Sequence, residues 1–409
     1  MILTPDSTPA PLAVAGEKQT RKSIKKYFPL GQIMSQGQNN PITLHSVNEN
    51  VFACLWSYVA EVMVVDGDLT RSTKEAIALL VSEKNQCPMC CSAHRMMGAA
   101  AKHAEKGSKK DQEEKQRQQQ IHQQALNYAE MLIMETIKFR PNQAQTTPQV
   151  TVFEEDDYSL LSDKAKAEAA LVVVLFFHMN RVISAVLGEQ MSKAMFSVPE
   201  SAAKRMEAPS VMKVMNKIMA PFLAGSMKSK REPGITSLLF THGSVALQEM
   251  PKHLQGEELA GEERCNALER LVVWVKSYEK HLIRNDVVCK EVIDLLDNPS
   301  RGPPPGLRPS KVAHWATTEM RKLIRVCLRN DELSQDIANV LCYVAYSPQS
   351  VYNSSHWKSV VKALGDEQAK TIVLWWSLRE TLRRAQGLRK PKRSMSNSSG
   401  SSCDSTKCL

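Results

Sequence analysis

The sequence has little glycine and few stretches in which β-branched and polar residues alternate. Its 409 residues include only 17 glycines, and apolar residues recur mainly at the three- and four-residue spacing of amphipathic helices. The chain also lacks a long apolar run, since the longest, residues 169–177, is too short to cross a bilayer. These absences argue against a sheet-rich protein and predict an all-α fold without a membrane partner.

No signal-like apolar segment precedes the first predicted helix, and the chain contains 10 cysteines. Free thiols in that number are typical of a reducing compartment rather than of a secreted, disulfide-linked protein. We therefore expect an intracellular, cytoplasmic protein.

Aromatic residues are missing from the most basic segments, although the net charge of the chain is +10. The excess of cations lies at 18–26, 102–117 and 383–393. Single-stranded nucleic-acid sites combine cations with aromatic side chains that stack on bases, and these segments offer none. We interpret them as solvated tails and loops, and we expect no nucleic-acid partner.

The 409 residues, 43% of them hydrophobic, can bury one large core or two ordinary ones, and we expect two lobes. The second lobe is interpreted either as a degenerate repeat of the first or as a pseudo-dimer partner that covers it. Composition predicts a disordered leader over 1–45, a first helical domain over 46–200 with a low-complexity insert at 102–120, a linker over 201–234, a second helical lobe over 235–388 and a disordered basic tail over 389–409.

Hydrophobic periodicity predicts the helices of both lobes. The strongest covers 163–187, with Ser162 or Asp163 as its cap and Gly188 at its end. Its middle is apolar on nearly every face, so we expect it to be the central core helix. Further helices are predicted at 50–63, 125–137, 237–250, 262–282, 286–296, 311–329, 336–346 and 368–385.

A cysteine pair with a nearby histidine and glutamate is the main chemical motif. Cys87 and Cys90 are followed by His94 and preceded by Glu75, in the stretch E-A-I-A-L-L-V-S-E-K-N-Q-C-P-M-C-C-S-A-H. Apolar spacing behind Glu75 predicts a helix that breaks at Asn85-Gln86. A second helix is expected to begin at the thiols.

Pro88 suits the first turn of that second helix, where its missing N–H has no partner to lose. The thiols then lie at a helix N-terminus, whose dipole and unpaired N–H groups stabilise a thiolate. Cys90 and His94 are one turn apart and share a face, so His94 can act as a base toward Cys90. We therefore expect a lowered pKa for Cys90.

The spacing Glu-x11-Cys-x2-Cys-x3-His resembles that of the AhpD-like, or carboxymuconolactone decarboxylase-like, family of all-helical thiol peroxidases. A second similarity covers 176–188, F-F-H-M-N-R-V-I-S-A-V-L-G, where long, two-lobed family members carry Asn-Arg before a Leu-Gly or Leu-Pro turn. The resemblance implies that Cys90 attacks a hydroperoxide and Cys87 closes a disulfide with it. It also makes His94 the base and Glu75 its partner.

The implied function is that of a peroxiredoxin-type, antioxidant oxidoreductase without a cofactor, whose substrate is a hydroperoxide. An unidentified dithiol must reduce the disulfide, and the chain is a candidate for homo-oligomerisation. One departure from the family is Met89, because the founding members have a second histidine between the cysteines. We expect the shorter relay to affect the rate more than the redox chemistry.

Three other functions compete with the peroxidase interpretation. A zinc site would use Cys87, Cys90, Cys91 and His94, but four ligands so close on one helix cannot all converge on one ion. The decarboxylase branch of the family works without the thiol pair, so the complete motif favours redox chemistry. A non-catalytic helical interaction protein would keep these residues as packing, which explains the proline, histidine and carboxylate less well.

Several single residues carry weaker hypotheses. Glu83 lies one turn before Cys87 and is an alternative to Glu75, which the family spacing favours. Cys91 points about 100° away from Cys90 around the helix and is interpreted as core. His178 is interpreted either as a second proton-relay group or as a core histidine.

Other conspicuous side chains are interpreted as packing. Asn180 and Arg181 are expected to fix helix contacts. Scattered cysteines and methionines are expected to fill the core rather than to bind copper or zinc, and they are Cys54, Cys265, Cys289, Cys327, Cys342, Met206, Met212, Met215 and Met219.

Overall fold

The computed structural model describes residues 16–28, 41–105, 112–138, 158–188, 231–240, 262–285 and 332–385, with isolated residues between 220 and 290. Its regular structure is helical and no strand occurs in these residues, so the fold is all-α, as predicted. The helices are α1 Gly16–Tyr27, α2 Glu49–Val59, α3 Arg71–Lys84, α4 Pro88–Glu105, α5 Gln112–Lys138, α6 Asp163–Leu187, α7 Glu262–Arg284, α8 Glu332–Tyr346, α9 Ser355–Leu364 and α10 Asp366–Ala385. A π-helical turn at Ala60–Val64 continues α2, and 3₁₀ helices lie at Thr43–Val47, Ser237–Leu239 and Pro348–Ser350.

Helix α6 is the core helix, and it has the bounds predicted from sequence. Ser162 caps it, because its Oγ accepts a hydrogen bond of 3.0 Å from the backbone N–H of Ala165. Gly188 ends it with a positive φ of 49°. By length and composition α6 could cross a membrane, but its whole apolar window is buried inside the protein, which is the environment of a core helix.

Helices α3 and α4 form the hairpin that carries the cysteine motif. Thr70 caps α3, since its Oγ1 accepts a hydrogen bond of 3.3 Å from the backbone N–H of Thr73. The predicted break is present, and Gln86 adopts a φ of 53° there. Pro88 is the first residue of α4, where no N–H is needed. Because α3 also packs against α5 and α6, the hairpin is anchored on the core helix.

The described helices of the two predicted lobes share one hydrophobic cluster. Trp274 of α7, Leu341 of α8 and Trp375 of α10 belong to the same cluster as Phe52 of α2 and Leu175 of α6. Helix α10 packs against α6, and α7 packs against α2. In the described residues, the two predicted lobes therefore share one core. The arrangement agrees with the interpretation in which the second half covers the first.

Two predicted boundaries also differ from the structure. The leader at 1–45 contains helix α1, whose Ile24 is buried in the core, and its lysine-rich composition concealed this narrow contact face. The insert at 102–120 is divided, because α4 continues to Glu105 and α5 begins at Gln112. Helix α9 was not predicted.

Of the remaining predictions, those for two cysteines concern described residues, and the others lie outside them. Cys342 and Cys54 are buried as expected, and burial raises the pKa of both thiols. The predictions outside are those for residues 1–15, 191–219 and 389–409, for the helices at 286–296 and 311–329, for the greater part of 237–250, for Met206, Met212, Met215 and Met219, and for Cys289, Cys327 and the side chain of Cys265.

A buried histidine pair links α6 to α10. His178 Nε2 lies 2.9 Å from His45 Nε2, and His178 Nδ1 lies 3.0 Å from Ser377 Oγ. His45 Nδ1 donates to the carbonyl of Pro41 at 2.9 Å. Two neutral rings satisfy every one of these contacts, with Ser377 donating to His178 and His178 donating to His45. Burial lowers the pKa of His45 to about 4 and that of His178 well below its ordinary value.

The free energy of unfolding is expected to fall as the pH drops from 7 to 5. The unfolded chain protonates its imidazoles near the ordinary pKa of 6.5, whereas folded His45 stays neutral until about pH 4. Stability from the neutral ring is therefore present above pH 6.5 and is lost as the pH falls toward 4. His45 alone accounts for a loss of about 2 kcal/mol between pH 7 and 5.

Urea unfolding at both pH values measures this effect. The His45→Gln variant should show a pH dependence smaller by that amount, because glutamine does not titrate. The His103→Gln variant, changed at an exposed position on α4, should keep the parent's pH dependence. Equal pH dependence in the parent and in His45→Gln would contradict the prediction.

Candidate functional site

The motif residues lie together in the α3–α4 hairpin. His94 Nδ1 is 2.7 Å from Glu75 Oε2, and both side chains are buried. Cys87 directly precedes α4, and its carbonyl accepts the first helical hydrogen bond, 3.0 Å from the backbone N–H of Cys91. Cys87 and Cys90 are free thiols in hydrogen-bond contact. The structure thus brings together the four residues that the motif singled out.

A guanidinium completes the buried charge arrangement. Arg71 Nε donates to Glu75 Oε1 at 2.8 Å, and the second oxygen of Glu75 faces His94. Arg71 also donates through Nη1 to the carbonyl of Met63. Burial raises the pKa of Glu75, but the charge of Arg71 and the hydrogen bonds from His94 and Arg71 outweigh it, so this pKa is below its ordinary value. Glu75 is therefore a carboxylate inside the protein.

The two thiols ionise in the order opposite to our expectation. The pKa of Cys87 is lowered because the Cys90 thiol donates a hydrogen bond to it, with help from the backbone N–H of Cys90 and the nearby Ser184 hydroxyl. The pKa of Cys90 is raised by burial and by that same hydrogen bond. The prediction of a lowered pKa for Cys90 is wrong, because burial of Cys90 and its hydrogen bond to Cys87 outweigh the backbone N–H that lowers this pKa.

Cys90 lines a cavity and Cys87 does not. The cavity has a volume of about 80 Å³ and is walled almost entirely by apolar side chains, with Cys90, His94 and Arg71 on one side. Such a space holds roughly five water-sized groups. The ring of Phe176 packs edge-on against His94, with centroids 4.3 Å apart. A small solute in the cavity can therefore reach Cys90 and His94, whereas Cys87 does not line the cavity.

No family model matches the chain, and neither a search of curated proteins nor a search of solved structures finds a match. The AhpD-like assignment therefore stays a prediction that rests on the spacing of the motif.

The positions of Glu83, Cys91 and His178 in the structure decide the weaker sequence hypotheses. Glu83 pairs with Arg95 at the surface, 2.7 Å apart, so it is not the partner of His94. The pKa of Cys91 is raised by burial to about 11, which makes it a poor nucleophile at neutral pH. His178 is occupied by His45 and Ser377 and does not line the cavity. In the described part of the chain, no three His, Cys, Asp or Glu side chains cluster as metal ligands.

The polar residues beside His178 pack helices together, as expected. Ser82 Oγ lies 3.2 Å from Asn180 Oδ1, which joins α3 to α6. Arg181 donates to Thr381 Oγ1 at 2.9 Å, which joins α6 to α10. The helix that supports the motif is thus fixed from both sides.

Sequence reasoning missed Arg71, Phe176 and Ser184 as parts of the site. Arg71 could have been found, since an arginine four residues before a glutamate on a predicted helix marks an ion pair. Phe176 and Ser184 belong to α6, far from the motif in the chain. Only the packing of α6 against the hairpin brings them near the thiols.

Proposed function

We propose that this protein is a thiol peroxidase that reduces hydroperoxides through a Cys87–Cys90 disulfide, in the manner of the AhpD-like family. The observation that carries the proposal is the position of Cys90. Its sulfur shares a cavity with His94, whose ring is held by a buried carboxylate, and it is hydrogen-bonded to a second thiol. A nucleophile, a base and a resolving thiol are then present in one place.

The first step is attack on the peroxide by Cys90. His94 Nε2, the nitrogen not bonded to Glu75, takes the Cys90 proton. The Cys90 thiolate then bonds to the terminal oxygen of ROOH while the O–O bond breaks. The departing alkoxide takes the proton from the imidazolium and leaves as ROH. Cys90 becomes a sulfenic acid, oxidised by two electrons.

The second step closes the disulfide. Cys87, whose pKa is lowered, attacks the sulfur of the Cys90 sulfenic acid as a thiolate. Hydroxide leaves and takes a proton from solvent to form water. The net change converts two thiols and one hydroperoxide into a disulfide, an alcohol and water. An external dithiol supplies the two electrons that restore the thiols.

Oxidation of the reduced protein by one equivalent of tert-butyl hydroperoxide tests this function. We expect the loss of two thiols per chain, with the new disulfide located by peptide mass at Cys87 and Cys90. Cys54, Cys91 and Cys342 serve as internal controls, because they should still be alkylated after unfolding. An unchanged thiol count, or a disulfide at another pair, would contradict the proposal.

A further inference from the structure

Arg71 connects the Glu75–His94 pair to the cavity wall. Its guanidinium donates to one oxygen of Glu75 on one side and to the carbonyl of Met63 on the other. That carbonyl lies in the π-helical turn that ends α2, so two different elements fix the same side chain. Arg71 also lines the cavity beside His94. Its charge is therefore held at a defined place next to the base.

The charge of Arg71 decides the ionisation of Glu75. The carboxylate is 0% exposed, and burial alone favours the protonated form of such a group. The ion pair of 2.7 Å between Arg71 Nη2 and Glu75 Oε1 acts against burial. Without the guanidinium, His94 would be the remaining hydrogen-bond partner of Glu75 among the residues that the structure describes.

The ionisation of Glu75 in turn decides which nitrogen of neutral His94 carries the proton. A carboxylate only accepts hydrogen bonds, so Nδ1 must be the protonated nitrogen and Nε2 keeps a free lone pair. A protonated Glu75 could instead donate to Nδ1, which would place the ring proton on Nε2. His94 could then not accept a proton from Cys90.

We propose that Arg71 is a positioning residue that, by holding Glu75 ionised, keeps the proton of His94 on Nδ1 and leaves Nε2 as the base. The consequence for catalysis rests on the proposed peroxidase function, whereas the consequence for the tautomer does not. Glu75 and Arg71 from α3 and Cys90 from α4 are the titratable and charged groups that face His94. Helix α6 packs the ring of Phe176 against it.

Nitrogen NMR of the reduced full-length chain with 15N-labelled histidine tests the tautomer directly, with the His94 signals assigned by their loss in His94→Gln. We expect the Nδ1–H form in the parent, the Nε2–H form in Arg71→Met and the Nδ1–H form again in Arg71→Lys. The control is Arg95→Met, which removes an exposed arginine paired with Glu83 and should leave the tautomer unchanged.

A proton on Nε2 in the parent, or on Nδ1 in folded Arg71→Met, would overturn the proposal. Equal changes in Arg71→Lys and Arg71→Met would also overturn it, because the effect would then not follow the charge. Should Arg71→Met fail to fold, Arg71→Gln provides the same test, since it keeps donors toward the Met63 carbonyl without the charge.

Peroxide turnover provides a second readout. In Arg71→Met we expect kcat to fall about a hundredfold with little change in KM, and Arg71→Lys to recover most of it. The loss of kcat in Arg71→Met should shrink as the pH rises. In that variant burial raises the pKa of Glu75, and Glu75 ionises again above this raised pKa. A deficit independent of pH would indicate a purely structural role. If the parent itself consumes no hydroperoxide, the proposed function fails, and the NMR result still decides the role of Arg71.

Discussion

The Cys90→Ser variant is expected to consume no hydroperoxide, whereas Cys87→Ser is expected to complete a single turnover and stop as a sulfenic acid. Cys90 is the thiol that lines the cavity beside His94, and serine cannot form the sulfenic acid. The loss should be at least about a thousandfold, as for other enzymes that lose their nucleophile. Stopped-flow peroxide consumption and dimedone trapping with mass detection measure both outcomes.

Ionisation alone would lead to the opposite assignment. Cys87 has the lowered pKa and Cys90 the raised one, so a ranking by thiolate content names Cys87 as the attacking thiol. Cys87, however, is 0% exposed and does not line the cavity, whereas Cys90 does. Access decides the order, because a peroxide cannot be attacked by a sulfur that it does not reach.

The Cys91→Ser variant is the matched control, since it changes the neighbouring cysteine outside the cavity and should turn over like the parent. If Cys87→Ser were the inactive variant and Cys90→Ser the trapped one, the order of attack would be reversed. If both variants turned over like the parent, the chemistry would not belong to this cysteine pair.

Local spacing was enough to predict the hairpin, whereas Glu75 was assigned as the partner of His94 from the family resemblance. The helix break, Pro88 and the one-turn offsets are all short-range features, and the structure reproduces them. The ionisation order was not predictable in this way. It depends on the burial of Cys90 and on the direction of one S–H donor.

Contacts between residues far apart in the chain could also not be predicted from the sequence. A close approach by Glu168 of α6 explains the glycine at position 67. A Cβ on residue 67 would lie 1.9 Å from Glu168 Oε1. Likewise His178 was correctly placed on the core helix, while its partners His45 and Ser377 come from distant parts of the chain. Such pairs follow only from the packing of whole helices.

The carboxylate of Glu168 holds the loop that leads into α3. It accepts hydrogen bonds from the backbone N–H groups of Asp68 at 3.2 Å and Leu69 at 3.1 Å. Lys74 Nζ lies 3.7 Å from it, and both side chains are only 1% exposed. A buried anion thus stabilises two amide groups and a buried ammonium, just before the helix that carries Arg71 and Glu75.

The Glu168→Ala variant is therefore expected to lose about 3–5 kcal/mol of unfolding free energy, because it leaves the buried Lys74 charge without its carboxylate. Urea unfolding at neutral pH measures the loss. Glu130→Ala is the control, since Glu130 is 51% exposed where it pairs with Lys84, and such pairs contribute less than about 1 kcal/mol. A loss no larger than the control's would mean that the loop before α3 is held without Glu168 and that the buried ammonium is compensated by other groups.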